Sequence, residues 1–394
     1  MRMRPVKNME LDRMSIDIED ESTIKRKKIA VIGIRGLPAN YGGFETCAEY
    51  ISKRWANEGH QVLVYCRKNH YKDYIPDYYG VRLKYTPSIR SKNLATLSHT
   101  LISIINLLVT EPQIKFVHLY NTGNAMFLPL LKLFGKKTII SGDGLEWKRE
   151  KWGKLAKFIH KAGERFAVAL ADKIVVDNEE VKKYYEEKYT VDTALIAYGA
   201  KQIVHNPSLA EELLKKYNLK SNEYFIFVGR LVPEKGVHHL IEAYKKLGTK
   251  FPLVIIGDDT STTPYREELL KQRSDMIRFL GFLYDDDYEQ LLINSLLYVS
   301  ASRLEGTSPS LLAAMGARVC ALVNGIEENI ATTQGCSYTF KKNDYEDLRV
   351  TWQKLIDEPR LAREMAEMGF QHVLKNYRWD AIADQYLSVF DGLR

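Results

Sequence analysis

The sequence predicts an α/β protein made of two doubly wound parallel-sheet domains, and three observations lead there. The chain has 394 residues, more than one core of ordinary size needs. Apolar, β-branched runs alternate with helical patterns along almost its whole length, the order that folds into parallel strands joined by crossover helices. The alternation breaks once, in a loosely patterned crossing at residues 198–209 that contains Gly199 and Pro207, and then restarts.

In chain order, residues 28–34 form a β-branched apolar run closed by Gly33, followed by a Gly/Pro-rich loop at 36–43 and a helical pattern to Ala56. Such a series reads as strand, loop, helix. Strand-like runs follow at 61–66, 81–85, 116–120 and 137–141, interleaved with helical stretches at 96–109 and 125–134, and shorter runs at 174–176 and 195–197 close the first unit. Past the crossing, strands are expected at 224–228, 253–256, 277–280, 297–299 and 320–323, again separated by helices. Residues 379–393 have amphipathic helical spacing, and such a helix is expected to pack back onto the first domain. The predicted organisation is a tail at 1–27, a first domain at 28–200, a second at 201–378 and a C-terminal helix at 379–394.

Composition narrows the function classes. A hydrophobic fraction of 45% and a charged fraction of 27% are those of an ordinary globular protein, neither disordered nor embedded in a membrane. Cys47, Cys66, Cys320 and Cys336 are far apart and lack metal-ligand spacing, which fits buried thiols in a reducing compartment. Residues 1–27 lack the apolar stretch of a signal peptide. The most apolar window, 97–109, is shorter than the ~20 residues that span a bilayer. A cytoplasmic location is therefore expected. Residues 28–200 carry 26 basic and 17 acidic side chains, a balance of +9 out of a total of +7. A basic half can meet nucleic acid, anionic lipid or an anionic substrate. No compact nucleic-acid recognition motif accompanies the charge, so no nucleic-acid partner is expected.

The second half contains, in order, Phe-Val-Gly-Arg-Leu-Val-Pro-Glu-Lys-Gly (227–236), Ile-Ile-Gly-Asp (255–258), a strand ending in Ser-Ala-Ser (300–302) and Glu-Gly-Thr-Ser-Pro-Ser-Leu-Leu (305–312). This series resembles glycosyltransferase family 4, retaining enzymes of the GT-B fold: two facing Rossmann-like domains with an interdomain cleft. The first half has Gly-Ile-Arg-Gly-Leu-Pro-Ala-Asn-Tyr-Gly-Gly-Phe-Glu (33–45) and Gly-Asp-Gly-Leu-Glu-Trp-Lys-Arg (142–149). It is similar to the subgroup that includes bacterial rhamnosyltransferases of capsule and cell-wall polysaccharide synthesis.

The resemblance implies an acceptor-side first domain, a nucleotide-sugar-binding second domain, and transfer from a dTDP- or UDP-linked donor, rhamnose first among the sugars, to a glycan or lipid-linked acceptor. It implies no cofactor and no metal. The residue types suit that chemistry. Negative charge grows on the leaving pyrophosphate as the glycosidic bond breaks, and fixed cations and N–H groups aimed at it lower the barrier. By resemblance Arg230 and Lys235 take that role, Arg as a two-pronged fork and Lys as a point charge; the plain alternative is two solvated side chains on a turn. Gly306-Thr307-Ser308-Pro309 precedes a helix, with Ser308 reading as N-cap and Pro309 as the first helical residue. The free N–H groups there suit donor oxygens. Glu305 resembles the first glutamate of the family's E-x₇-E pattern, which contacts the donor sugar, although it could simply cap the helix. Where the second glutamate binds the ribose, this chain has Ala313.

In the first domain Gly33, Gly36, Gly42 and Gly43 permit close approach of backbone to donor or acceptor, as does Gly229 in the second. Asp143 stands where many relatives have a histidine near the reacting centre, and the alternative is a cap for the helix expected near Trp147. Gly-Ile-Arg-Gly is not the Gly-x-Gly-x-x-Gly of dinucleotide binders. Asp285-Asp286-Asp287 contains an Asp-x-Asp, yet its place before a helical run is explained by the helix dipole. His118, inside a strand pattern, reads as structural. In 147–170, Trp152, Leu155, Ile159, Ala162 and Phe166 recur at helical spacing beside Lys154, Lys157, Lys161 and Arg165. That is either a core-packed helix with a solvated face or a surface for anionic lipid at the inner face of the plasma membrane. A sugar-nucleotide-binding protein of weak catalytic power is the competing function, and Ala313 is its motive.

Overall fold

A computed structural model describes residues 26–39, 42–91, 94–142, 144, 145, 147, 153–259 and 263–393, without the side chains of Leu155, Ala156 and Asp285. The first domain runs β1 (Lys28–Ile32), α1 (Gly43–Asn57), β2 (Gln61–Arg67), β3 (Asp77–Tyr78), β4 (Val81–Thr86), α2 (Ala95–Thr110), β5 (Phe116–Tyr120), a 3₁₀ turn (Thr122–Phe127), α3 (Leu128–Leu133), β6 (Lys137–Ser141), α4 (Lys154–Leu170), β7 (Lys173–Val176), α5 (Glu179–Tyr189) and β8 (Ala194–Leu195). The second runs α6 (Pro207–Lys216), β9 (Phe225–Val228), a 3₁₀ turn (Pro233–Lys235), α7 (Val237–Lys245), β10 (Leu253–Ile256), α8 (Pro264–Leu270), β11 (Ile277–Gly281), α9 (Asp285–Ile293), β12 (Leu297–Ser300), α10 (Pro309–Gly316), β13 (Ala321–Asn324), α11 (Glu327–Thr333), β14 (Tyr338–Phe340), α12 (Tyr345–Asp357) and α13 (Pro359–Asn376). The chain ends in α14 (Trp379–Asp391).

These elements make two sheets, β3-β4-β2-β1-β5-β6-β7-β8 and β11-β10-β9-β12-β13-β14. Every pairing is parallel except that of the short β3 with β4. The central strands are buried on both faces, which is why they read as unbroken apolar runs rather than alternating ones. In each sheet the winding reverses at one place, between β1 and β5 and between β9 and β12. Loops leaving the carboxyl ends of strands at such a reversal diverge and open a crevice. The loop of 33–42 leaves β1, and the loops of 229–236 and 301–308 leave β9 and β12.

Two differences from the sequence pattern have simple causes. The helix expected at 125–134 is split, because the turn at 122–127 is 3₁₀ and α3 starts only at Leu128, with Pro129 in its first turn. The loose crossing ends before 209: Asn206 caps α6 through Leu209 N, and Pro207 occupies the first helical position.

α14 lies on α1 of the first domain. Tyr50 and Trp379 stack with ring centres 4.6 Å apart, and Trp55, fully buried, donates its indole N–H to Ala383 O at 3.1 Å and meets Tyr386 and Phe390 edge-on. The two chain crossings between domains run side by side, with Ala200 N donating to Tyr377 O at 2.7 Å. Gly199 is required there, since a Cβ would sit 2.5 Å from the Trp379 ring. Among the described residues no helix is long and apolar enough to cross a membrane.

Candidate active site

Lys235 and Glu305 arrive from different loops and meet. Lys235 ends the 3₁₀ turn after β9, while Glu305 lies in the loop after β12; Lys235 Nζ contacts both Glu305 oxygens, at 2.5 and 2.6 Å. Both side chains are mostly buried, 17% and 9% exposed, so the pair is held rather than solvated. The backbone underneath is stitched across the same two loops. Arg303 N donates to Glu234 O at 2.8 Å, and Ser302 Oγ donates to the same carbonyl at 3.3 Å. Gly236 at φ +63° allows this approach, because a Cβ would fall 2.2 Å from Ala301 O. Arg230, half-buried on the first of these loops, has no ion-pair partner among the described residues.

The Glu305–Ser308 loop leads into α10, whose N-cap is Ser308, without a capping bond from its side chain. Its Oγ lies 3.3 Å from Ser310 Oγ instead. Pro309, Ser310 and Ala313 are the partly exposed residues of α10; Leu311, Leu312, Ala314, Met315 and Gly316 are buried. Spacing of three and four puts those three on one stripe. A Cβ on Gly43, at the start of α1, would lie 3.4 Å from both Pro309 and Tyr198. The first domain's glycine-rich loop therefore abuts the start of α10, and Gly42, just before it, is the N-cap of α1.

Gly33 and Gly36 serve another purpose. Both have left-handed φ, +101° and +132°, and a Cβ would strike Tyr120 O at 2.4 Å or Cys66 at 2.6 Å. They pack the loop onto the strand ends. Gly229 is less confined, since a Cβ there would meet the Phe227 ring at 3.0 Å; it is Gly257, at φ +117°, that lets the Gly229 carbonyl approach, because a Cβ on it would fall 2.1 Å from that oxygen.

Sequence reasoning missed Asp177, which follows β7 and is 4% exposed. Its carboxylate accepts from Thr307 N at 2.9 Å and Gly144 N at 3.3 Å, and its main-chain carbonyl accepts the Thr307 hydroxyl. Both polar groups of Thr307, expected to face the donor, are thus engaged across the domain boundary. Nothing in the sequence marks Asp177, since the partner is 130 residues away. Glu328, in the first turn of α11, was missed too. Burial raises its carboxyl above the usual range, and the neighbouring charges of Glu327 and Glu305 push the same way. Between the domains lies a cavity of about 390 Å³, bounded by Gly144, Leu145 and Tyr184 on one side and by Arg303, Glu305 and Glu328 on the other.

Other expected residues fall elsewhere. Asp143 and Trp152 lie outside the described residues, as does the Leu155 side chain. His118 is buried in the first core, its Nε2 2.8 Å from Ser141 Oγ, and burial lowers its pKa to about 3. Asp285 opens α9, and among the described residues no group of three or more His, Cys, Asp or Glu could hold a metal ion. Phe166, read as part of a core stripe, is exposed, as is Phe158; α4 turns its Lys154, Phe158, Lys161 and Arg165 outward together.

Residues 210–372 match the family described as glycosyl transferases group 1, and residues 26–201 match a domain of unknown function (DUF1972). An uncharacterized glycosyltransferase of Methanocaldococcus jannaschii is 26% identical over 249 residues, 61% of this chain and 63% of that protein, so the match spans less than two thirds of the relative. Sucrose-phosphate synthase from Thermosynechococcus elongatus superposes with a TM-score of 0.78 at 18% identity, over 93% of this chain and 99% of the other. An Anabaena protein solved in complex with UDP-glucose superposes at 0.75 with 15% identity, over 93% and 100%.

Proposed function

We propose, from the premise that this chain is a GT-B-fold protein belonging through its second domain to the group 1 glycosyltransferases, that it moves a sugar from a nucleoside diphosphate to a glycan or lipid-linked acceptor with retained anomeric configuration. The observation that carries the reading is the contact of Lys235 with Glu305 across the loops that leave β9 and β12 where the second sheet reverses, with Arg230 on the first of those loops. The pyrophosphate lies against Arg230 and Lys235, whose charges stabilise the negative charge that develops as the sugar–phosphate bond breaks. Glu305 holds Lys235 in place and takes hydroxyls of the donor sugar. The departing phosphate removes the acceptor's proton on the same face, so the reaction needs no side-chain nucleophile. Asp143 lines the reacting centre, the loop with Gly42 and Gly43 closes over it, and Gly229, Gly306 and Ser308 border the donor, while Thr307 ties their loop to Asp177. The first-choice donor is rhamnose on dTDP or UDP, as the motifs of the first half suggest, and neither metal nor cofactor takes part. The enzyme works on surface-polysaccharide precursors at the cytoplasmic face of a membrane.

Ala313 favours a second reading, a sugar-nucleotide binder with little turnover, because a carboxylate that would grip the ribose is missing. Thermal-shift titration with UDP-, dTDP- and GDP-sugars, followed by measurement of nucleoside diphosphate release with and without membrane-extracted acceptor, tests both. Stabilisation by one nucleotide series with acceptor-dependent release supports the transferase. Stabilisation without release supports the binder, and no stabilisation by any of them defeats both.

A further inference from the structure

The face of the first sheet opposite α1 and α14 is covered by α2, the 3₁₀ turn of 122–127, α3, α4 and α5, the last through Val181 and Tyr185. The inward side of this layer is ordinary: Ile104, Leu107, Leu128, Leu131 and Ala167 are buried in one core. Its outward side is not. Ile105, Val109, Leu133, Phe134, Phe158 and Phe166 are all exposed, Leu133 by 79%, Val109 by 74% and Phe158 by 69%. Apolar side chains scattered singly over a surface are normal, but large ones gathered on adjoining elements mark a contact surface.

Charge identifies the partner. Whereas α5, at the edge of this layer, carries exposed Glu179, Glu180, Glu186 and Glu187, two of them paired with its own Lys182 and Lys183, α2, the 3₁₀ turn, α3 and α4 contain a single acidic residue, Glu164. It is buried, and it accepts hydrogen bonds from Trp147, Tyr184 and Lys188. The outward charges of α4 are Lys154, Lys161 and Arg165, with Lys157 half-buried beside them, and Lys154 and Lys157 have no ion-pair partner among the described residues. A second copy of this chain fits poorly, because a twofold contact would set this basic stripe against its own image. An anionic bilayer meets both features at once, acidic headgroups facing the lysines and the apolar side chains entering the interface.

The surface also adjoins the cleft. Lys154, Lys157, Phe158 and Lys161 bound a cavity of about 870 Å³ whose far wall is Glu234, Arg303, Leu304 and Asn343 of the second domain. Arg303 and Leu304 also bound the cavity that holds Glu305. We propose that the outer side of α2, α3 and α4 is a peripheral docking face for an anionic membrane, with the mouth of the cleft at the lipid surface. The docking face rests on exposure and charge, whereas its purpose, bringing a lipid-held acceptor to the donor, rests on the transferase reading.

The test is co-sedimentation of the full chain with vesicles of phosphatidylcholine alone or mixed with phosphatidylglycerol. Binding is expected to the mixed vesicles and to be much weaker for the neutral ones. The Lys154→Gln/Lys157→Gln/Lys161→Gln variant should weaken it on the order of 100-fold, at roughly fivefold per lysine. Leu133→Ser/Phe134→Ser should weaken it as well, while its UDP-induced thermal shift stays that of the parent chain, showing an intact fold. Equal recovery with both vesicle types, recovery with neither, or binding unmoved by either variant overturns the proposal. So does a dimer in light scattering that Leu133→Ser/Phe134→Ser dissolves without any vesicle binding. A chain that binds acidic vesicles but no sugar nucleotide keeps this face and loses the transferase reading.

Discussion

Asp177 of the first domain accepts the Thr307 amide of the second at 2.9 Å, and its carbonyl takes the Thr307 hydroxyl. One residue after β7 therefore fixes the loop that begins with Glu305. Asp177→Ala leaves a buried N–H unpaired, which costs about 1–3 kcal/mol. A drop in melting temperature with a larger drop in turnover than in nucleotide affinity is expected. Thr307→Val removes the hydroxyl end of the same tie, so the double variant should be less destabilised than the two single changes added together. Strict additivity would show that the two residues act independently.

Arg230 and Lys235 should separate in stability although they agree in activity. Each →Ala change is expected to lower turnover on the order of 10²-fold at saturating donor, through lost stabilisation of the leaving group. Lys235→Ala also strands Glu305, 9% exposed, without its cation, so its melting temperature falls. Arg230 has no such partner among the described residues, and Arg230→Ala should melt with the parent chain. Parental turnover in both variants would remove the pyrophosphate assignment.

Ala313 shares the half-buried stripe of α10 with Pro309 and Ser310, at the edge of the core, so a longer side chain placed there can reach past it. Ala313→Glu should tighten nucleotide binding about tenfold to a hundredfold, because a charge-assisted hydrogen bond to a ribose hydroxyl contributes about 1.5–3 kcal/mol. The gain should be smaller for dTDP, which lacks the 2′-hydroxyl, than for UDP. Calorimetric titration of both nucleotides into both chains measures it, and unchanged affinity for UDP would mean that position 313 does not face the ribose.

Acid should destabilise the first domain through its buried histidines. Burial lowers His118 and His99 to about 3 from the usual histidine value of 6.5. Between those values the unfolded chain binds protons that the folded chain does not, so stability is whole above pH 6.5 and is lost as pH falls toward 3. Each histidine contributes up to about 1.4 kcal/mol per pH unit in that window. Thermal melts at pH 7, 6 and 5 should show the decline, and His118→Asn should flatten it. A parallel pH profile for that variant would place the acid sensitivity elsewhere.

Much of the fold was legible along the chain. The strands at 116–120, 137–141 and 253–256 coincide with β5, β6 and β10, because strands covered by helices on both faces must be continuously apolar. Of the short edge strands β3, β8 and β14, only β8 showed in the sequence, as the apolar run at 195–197; β3 and β14 did not, since two or three residues carry no period. Arg230, Lys235 and Glu305 could be picked out because strand-to-helix turns advertise themselves through glycine, proline and charge. Phe158 and Phe166 were not readable as surface residues: helical spacing shows that apolar side chains share a face, and only the packing of α4 on the sheet says which face is inward.

By itself the sequence determined the two α/β units, the order of their strands and the turns that bear the cationic and acidic candidates, because local propensity and hydrophobic period are properties of neighbouring residues. The tertiary structure alone decided that Lys235 meets Glu305 across 70 residues and that Asp177 meets Thr307 across 130. It also decided that Gly43 stands against Pro309, and that exposed apolar side chains share the outside of α2, α3 and α4 with lysines and no exposed acid. Those relations depend on where each sheet reverses its winding and how the two sheets face each other, and no local pattern encodes a distance between residues so far apart in the chain.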